Sequence, residues 1–109
     1  MRIVVAVLLL AACQSSDVSR SVGARCDTNA ECETQCLGPS GEWPGGFCTV
    51  LCDNDMGCPE GTRCIEENGG VCAFACGADA ACNFLGTGYT CKALDSHGGG
   101  AKVMVCRGD

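Results

Sequence analysis

Apolar positions fall into one long run near the start of the chain and into short bursts after it. Ile3 to Leu10 is an unbroken apolar run of eight residues. Gln14 to Ala24 is polar, Ser-rich and without periodicity, which reads as a flexible tether. Further on, strand-like bursts flank glycine-rich centres. The clearest pair is Thr62 to Glu66 and Val71 to Phe74, set around Glu67-Asn68-Gly69-Gly70. An Asn-Gly pair between such runs is the strongest short-range hairpin signal. Tyr89 to Leu94 and Lys102 to Val105 flank the centre Asp95 to Ala101 in the same way, and a wider loop, Gly38 to Gly46, occupies the corresponding place earlier in the chain. Ahead of each centre lie small turn-forming residues: Asp27, Asn29 and Glu31, then Asp53, Asn54 and Asp55, then Gly77 and Asp79. Asp and Asn side chains bond nearby backbone N–H groups and favour caps and tight turns. Each unit therefore reads as a compact turn followed by a small hairpin.

Cysteines divide this pattern into repeats. Twelve of them form three sets of four: Cys26, Cys32, Cys36 and Cys48; Cys52, Cys58, Cys64 and Cys72; Cys76, Cys82, Cys91 and Cys106. Every set opens with C-x5-C, and three residues separate one set from the next. The units predicted are 26–51, 52–75 and 76–109, together a disulfide-rich repeat domain over 26–109 with little helix. Within one unit four cysteines allow three connectivities. First-to-third with second-to-fourth is favoured, because interleaved bridges tie the turn to both strands of the hairpin. That pairing joins Cys26 to Cys36, Cys32 to Cys48, Cys52 to Cys64, Cys58 to Cys72, Cys76 to Cys91 and Cys82 to Cys106. The runner-up, first-to-second with third-to-fourth, leaves turn and hairpin unconnected.

Composition places this scaffold outside the reducing cytosol. Thirteen cysteines in 109 residues is the density of an exported disulfide protein. The 47% hydrophobic fraction counts those cysteines and the early apolar run, so the repeats promise no core able to carry stability alone. A formal charge of −6 leaves nothing to neutralise phosphates and argues against a nucleic-acid partner.

The thirteenth cysteine needs its own explanation, since an odd cysteine in an exported protein is out of place. Met1-Arg2 is a short positive start. The apolar run behind it is too short to span a bilayer, which takes about 20 apolar residues, but suits a secretory signal. It ends in Leu10-Ala11-Ala12-Cys13, which resembles the lipobox of bacterial lipoproteins. The resemblance implies that residues 1–12 are a signal peptide and that Cys13 carries a diacylglyceryl thioether and begins the mature chain. Residues 13–25 are then the lipidated cysteine and its tether. Without Arg2 the mature chain has six basic and thirteen acidic residues, a formal charge of −7. Several acyl chains give stable anchoring where one holds only marginally. Gln14 stands where many inner-membrane lipoproteins carry aspartate, so the resemblance implies the outer membrane, on its periplasmic or surface face.

From Leu10-Ala11-Ala12-Cys13 through Cys106, with its C-x5-C and Cys-x3-Cys spacings, the chain resembles the small cysteine-rich lipoproteins of myxobacterial and related genomes. That family implies no assigned activity.

Other residues hold candidate chemistry. The Cys32–Cys36, Cys48–Cys52 and Cys72–Cys76 spacings fall within zinc-ligand range, but no C-x2-C occurs and an exporting compartment keeps cysteines oxidised. Asp53, Asn54 and Asp55 crowd hard oxygen atoms together without the spaced ligands of a calcium loop, and turn chemistry accounts for them. His97 lies in a glycine-rich loop and reads as solvent-exposed, with no nucleophile and orienting group placed beside it. Arg107-Gly108-Asp109 spells an integrin-type tripeptide but is not set on a loop. Trp43, within Gly38 to Gly46, is the candidate partner contact, since tryptophan is common at interface hot spots; its other reading is a ring folded back over the nearby disulfides. The expectation is a non-enzymatic, membrane-anchored lipoprotein without cofactor or metal, structural or protein-binding at the cell envelope. The alternative is an inhibitor or toxin-like module presenting Gly38 to Gly46 to a protein partner.

Overall fold

A computed structural model describes residues 18–109. Its regular structure is three antiparallel two-stranded hairpins, each preceded by a 3₁₀ turn. Strands β1 (Gln35–Leu37) and β2 (Phe47–Thr49) form the first hairpin, β3 (Thr62–Ile65) and β4 (Val71–Phe74) the second, and β5 (Thr90–Asp95) and β6 (Lys102–Arg107) the third. The 3₁₀ segments are Asn29–Glu31, Asp55–Gly57 and Asp79–Leu85. The fold is thus a small disulfide-rich protein of tandem four-cysteine units.

Each hairpin sets the third cysteine of its unit opposite the fourth: Cys36 faces Cys48, Cys64 faces Cys72 and Cys91 faces Cys106. Facing residues on a two-stranded ribbon are not bonded to each other here. Both sulfurs turn back to the preceding turn, giving Cys26–Cys36 with Cys32–Cys48, Cys52–Cys64 with Cys58–Cys72, and Cys76–Cys91 with Cys82–Cys106. The connectivity is first-to-third and second-to-fourth in every unit.

A hydrogen bond repeats alongside these bridges. The residue three positions after the first cysteine accepts the backbone N–H of the third: Asn29 Oδ1 from Cys36 at 2.8 Å, Asp55 Oδ1 from Cys64 at 2.8 Å, and Asp79 Oδ1 from Cys91 at 2.9 Å. The turn is therefore latched to the hairpin by a disulfide and by a side-chain oxygen together. The first cysteine also docks against the strand that carries the fourth. Cys52 N–H donates to the Gly70 carbonyl at 3.0 Å and Cys76 N–H to that of Met104 at 3.0 Å. At Gly70 the backbone turns through φ +112°, and a Cβ there would collide with the Cys52 carbonyl. Gly46 (φ +82°) meets the Cys26 carbonyl in the same way. Only glycine satisfies both the conformation and the approach.

The units do not hang as separate beads. Thr49, fully buried on β2, donates its hydroxyl to the Cys72 carbonyl at 2.7 Å and accepts the Cys72 N–H at 3.1 Å, which joins the first unit to β4. Isolated bridges pair Ile65 with Ser96 and Ala75 with Val105, joining the second unit to the third. Tyr89 Oη donates to the Pro44 carbonyl at 3.1 Å and Gly108 N–H to that of Glu42 at 2.8 Å, so the third unit returns to the first. Inside this closure runs one apolar cluster with members from all three units. Phe47, wholly buried, lies at its centre, with ring centroids 4.8 Å from Trp43, 6.2 Å from Phe74 and 6.3 Å from Tyr89; Phe84 packs edge-on against Phe74 at 5.1 Å. The apolar side chains that look sparse along the sequence are pooled into a common core.

The tether reading of residues 13–25 needs correction from residue 18 onward. Val22 is 2% exposed and Val18 packs against the core. Gly23 N–H donates to the Cys48 carbonyl at 2.8 Å, and Cys48 N–H to the Ala24 carbonyl at 2.9 Å, so the segment pairs with β2. Arg20 Nε donates to the Glu31 carbonyl at 3.0 Å. Two valines and a free strand edge suffice to dock it, because the backbone groups of β2 would otherwise be unpaired. The signal peptide and Cys13 lie outside the described residues.

Candidate functional site

Trp43 is not a projecting anchor. It is 3% exposed, and its ring covers Phe47. Burying a large aromatic surface in a fold this small outweighs displaying it, so the partner-contact reading of Trp43 is corrected to a core role. The rest of its loop is ordered around it. Ser40 Oγ accepts the Trp43 N–H at 3.1 Å, the Trp43 carbonyl accepts the N–H groups of Ser40 and Gly46 at 3.2 and 2.8 Å, and Gly38 to Glu42 stay exposed. The loop is a rigid exposed turn whose one large ring points inward.

The acidic cluster at Asp53 to Asp55 is committed to local structure. Asn54 Oδ1 accepts the Met56 N–H at 2.9 Å, and Asp55 accepts Cys64 N–H through one oxygen and Arg63 Nε through the other at 2.8 Å. The Cys64 N–H holds the Asp55 carboxyl below its ordinary range, with Arg63 adding to the effect. Glu31 is likewise lowered by the N–H groups of Asp27 and Thr28. The cysteine sulfurs cluster in threes, but all twelve are in S–S bonds and present no thiolate.

His97 departs from the reading of an exposed, unordered loop residue. Its Nδ1 lies 2.9 Å from Glu66 Oε1, its N–H donates to the Cys64 carbonyl at 3.0 Å, and its side chain is half-buried. Asp95 pairs with Lys102 at 2.7 Å. The run Asp95-Ser96-His97 is therefore spent on joining the second and third hairpins and does not converge on a reacting atom. Arg107 forms an ion pair with Glu67 and Gly108 packs against the Gly41 carbonyl and Pro44, so these two are held against the body, while the Asp109 side chain is exposed and meets Lys92 Nζ at 3.3 Å.

Two features escaped sequence reasoning. Tyr89 is buried at the seam between the first and third units, and desolvation pushes its phenol up to about 12, against an opposing pull from the Arg25 charge. The second is a groove of about 390 Å³ between the docked segment and the second and third units. Val22, Pro59, Phe74, Ala75, Ala81 and Phe84 give it an apolar lining, with Ser19, Ser21 and Glu60 also on its wall. Phe84 is 45% exposed there, unlike the rings of the central cluster. Its only sequence signal was an aromatic residue in the C-x8-C interval, where Leu85 and Tyr89 are apolar neighbours that turn inward instead.

Fold and geometry define a class, the small disulfide-rich protein built from tandem turn-and-hairpin units. No protein-family model, curated protein or solved structure matches the chain.

Proposed function

We propose that the protein is a lipid-anchored, cysteine-rich lipoprotein of the bacterial cell envelope, of the outer membrane in particular, with a structural or protein-binding role and no catalysis. One observation carries the reading. Six bridges use every cysteine from Cys26 to Cys106, so Cys13 is the single cysteine outside the frame, and it follows an apolar run and two alanines. A thioether to diacylglycerol accounts for that sulfur and for the small residues before it. In this role the three-unit body is a disulfide-bridged head held at the membrane, and its acidic surface keeps it soluble.

Intact-mass measurement of protein extracted from membranes tests the reading, beside fractionation of wild type and Cys13→Ser. The expected result is a mass increment of acyl chains on wild type and loss of Cys13→Ser from the membrane fraction. An unacylated chain, or membrane retention of Cys13→Ser equal to wild type, removes the proposal.

The rigidity of Gly38 to Glu42 favours a second reading, an inhibitor or toxin-like module that presents this loop. A loop ordered before binding loses little entropy on docking. Recognition would then rest on its backbone and on Glu42, since Trp43 faces the core.

A further inference from the structure

The chain between anchor and body is much shorter than the sequence implies. Because Val18 is already packed, only Gln14 to Asp17 separate it from Cys13. Five residue steps reach at most about 18 Å. A body held that closely to a lipid anchor must present to the bilayer whichever face surrounds Val18.

That face holds the groove, whose wall mixes Ser19, Ser21, Glu60 and Thr62 with apolar side chains. Gly23 lies beside Val18 Cα, and a Cβ placed on it would sit 3.4 Å from that atom and 2.8 Å from Phe74 Cε2. Phe84 meets Phe74 edge-on, 5.1 Å between centroids, and turns outward. Ser19, Ser21 and Val22 of the docked segment form one wall of the groove and Ala81 and Phe84 another. The exposed aromatic ring and the point where the chain leaves for its anchor thus share one side of the molecule. Phe and Leu on an apolar face that lies along a membrane bury into the boundary of headgroups and acyl chains.

We propose that this face, with Phe84 at its centre, rests on the lipid surface and that the ring enters the interfacial layer beside the anchor. The inference depends on lipidation of Cys13, as proposed above. The surface is zwitterionic in chemistry, since a chain of formal charge −7 after removal of residues 1–12 is repelled by anionic headgroups. Anchor and face together fix the orientation of the head: the groove faces the lipid, while loops on other sides are left to solvent.

The test uses the full acylated protein, extracted from membranes and reconstituted in phosphatidylcholine vesicles whose acyl chains carry bromine, a contact quencher of indole emission. Wild type has one tryptophan, Trp43, buried in the core, which serves as a silent reference. Phe84→Trp places an indole on the groove face, and Met56→Trp places one at a 93%-exposed position beside the His97 loop. An unchanged disulfide map certifies the fold of each variant. In brominated vesicles the added emission of Phe84→Trp is expected to be mostly lost, while wild type and Met56→Trp keep theirs. If intact mass shows the acyl chains and Phe84→Trp is unquenched, or is quenched no more than Met56→Trp, the membrane-facing assignment is overturned and the lipoprotein reading stands. If the mass shows no acyl chains, the lipoprotein reading fails and the assignment falls with it.

Discussion

The six-bridge frame and the aromatic cluster are built on opposite rules. In the frame, each unit repeats the other two: the same interleaved bridges, and the same side-chain oxygen on the third cysteine's N–H, whether it comes from Asn29, Asp55 or Asp79. In the cluster the rings do not repeat, although the residue before each fourth cysteine, Phe47, Val71 or Val105, is wholly buried in it. The first unit contributes Trp43 and Phe47, the second Phe74, the third Phe84 and Tyr89. Local covalent closure makes each unit, and a shared core of one repeated apolar position and non-equivalent rings makes three units into one body. A repeat can therefore be copied as a frame, while its assembly must be specified anew in each copy.

Breaking the frame has the largest expected effect. Each bridge closes a loop with a sequence separation between 10 and 24 residues, which restricts the unfolded chain by about 3 kcal/mol apiece. The pooled core, though continuous, holds few large side chains, and cysteines make up much of the rest of its buried members. Full reduction is expected to unfold residues 18–109 cooperatively, read as collapse of NMR chemical-shift dispersion. A reduced protein that kept native dispersion would show that the aromatic cluster, and not the frame, holds the fold.

The cluster is tested through its one ionisable member. Tyr89 is the sole tyrosine, so phenolate absorbance reports it alone. Folded, it titrates near 12 because burial disfavours the phenolate; unfolded, near its ordinary value of about 10. A raised value means that stability is whole below pH ~10 and falls as pH rises from there through ~12, a loss of about 2–3 kcal/mol across that window. Tyr89→Phe should remove this alkaline slope, although it also forfeits the hydrogen bond to the Pro44 carbonyl. Titration near 10 in the oxidised, folded protein would mean that the seam between first and third units is open to water.

How much of this was legible in the sequence follows the same division. The turns, hairpins and bridges are local: Asn68-Gly69 marks the second hairpin, and the bridges follow from asking how a turn could be tied to both strands. The latch was also within reach, since Asn29, Asp55 and Asp79 stand three residues after Cys26, Cys52 and Cys76. Aligning the three units on their first cysteine would have exposed it. Tertiary closure was not legible. Trp43 in a glycine-rich loop has the same local sequence whether it projects or turns inward, and the outcome depends on Phe47 and on the third unit's return to Pro44. Val18 and Val22 among serines leave no periodic trace, so the docked segment reads as a tether until the β2 edge that receives it is known. His97 misled for a related reason: its glycine neighbours predict mobility, and Glu66, thirty-one positions earlier, supplies the restraint.

The smallest expected effect separates two versions of the same latch. Asn29 holds the Cys36 N–H with a neutral amide, whereas Asp55 holds the Cys64 N–H with a carboxylate. Because folding lowers the Asp55 carboxyl below its ordinary value of about 3.9, its contribution is present above that value and is lost as pH falls through the lower, folded one. At neutral pH, Asp55→Ala should cost about 0.5–1.5 kcal/mol, the net worth of a hydrogen bond, with little added by the exposed Arg63 pair. Asp55→Asn converts the second latch into the form the first already uses, keeping the Oδ1 acceptor and giving up the charge. It should therefore lie between wild type and Asp55→Ala at neutral pH and approach wild type in acid, where wild type itself becomes neutral at this position. Denaturation midpoints of the three proteins at successive pH values read the difference, and other carboxylates, Glu31 among them, cancel in the comparison. A wild-type to Asp55→Asn gap that did not shrink with acid would assign the difference to geometry and not to charge, whereas no gap at neutral pH would make the amide and carboxylate versions interchangeable across the repeats.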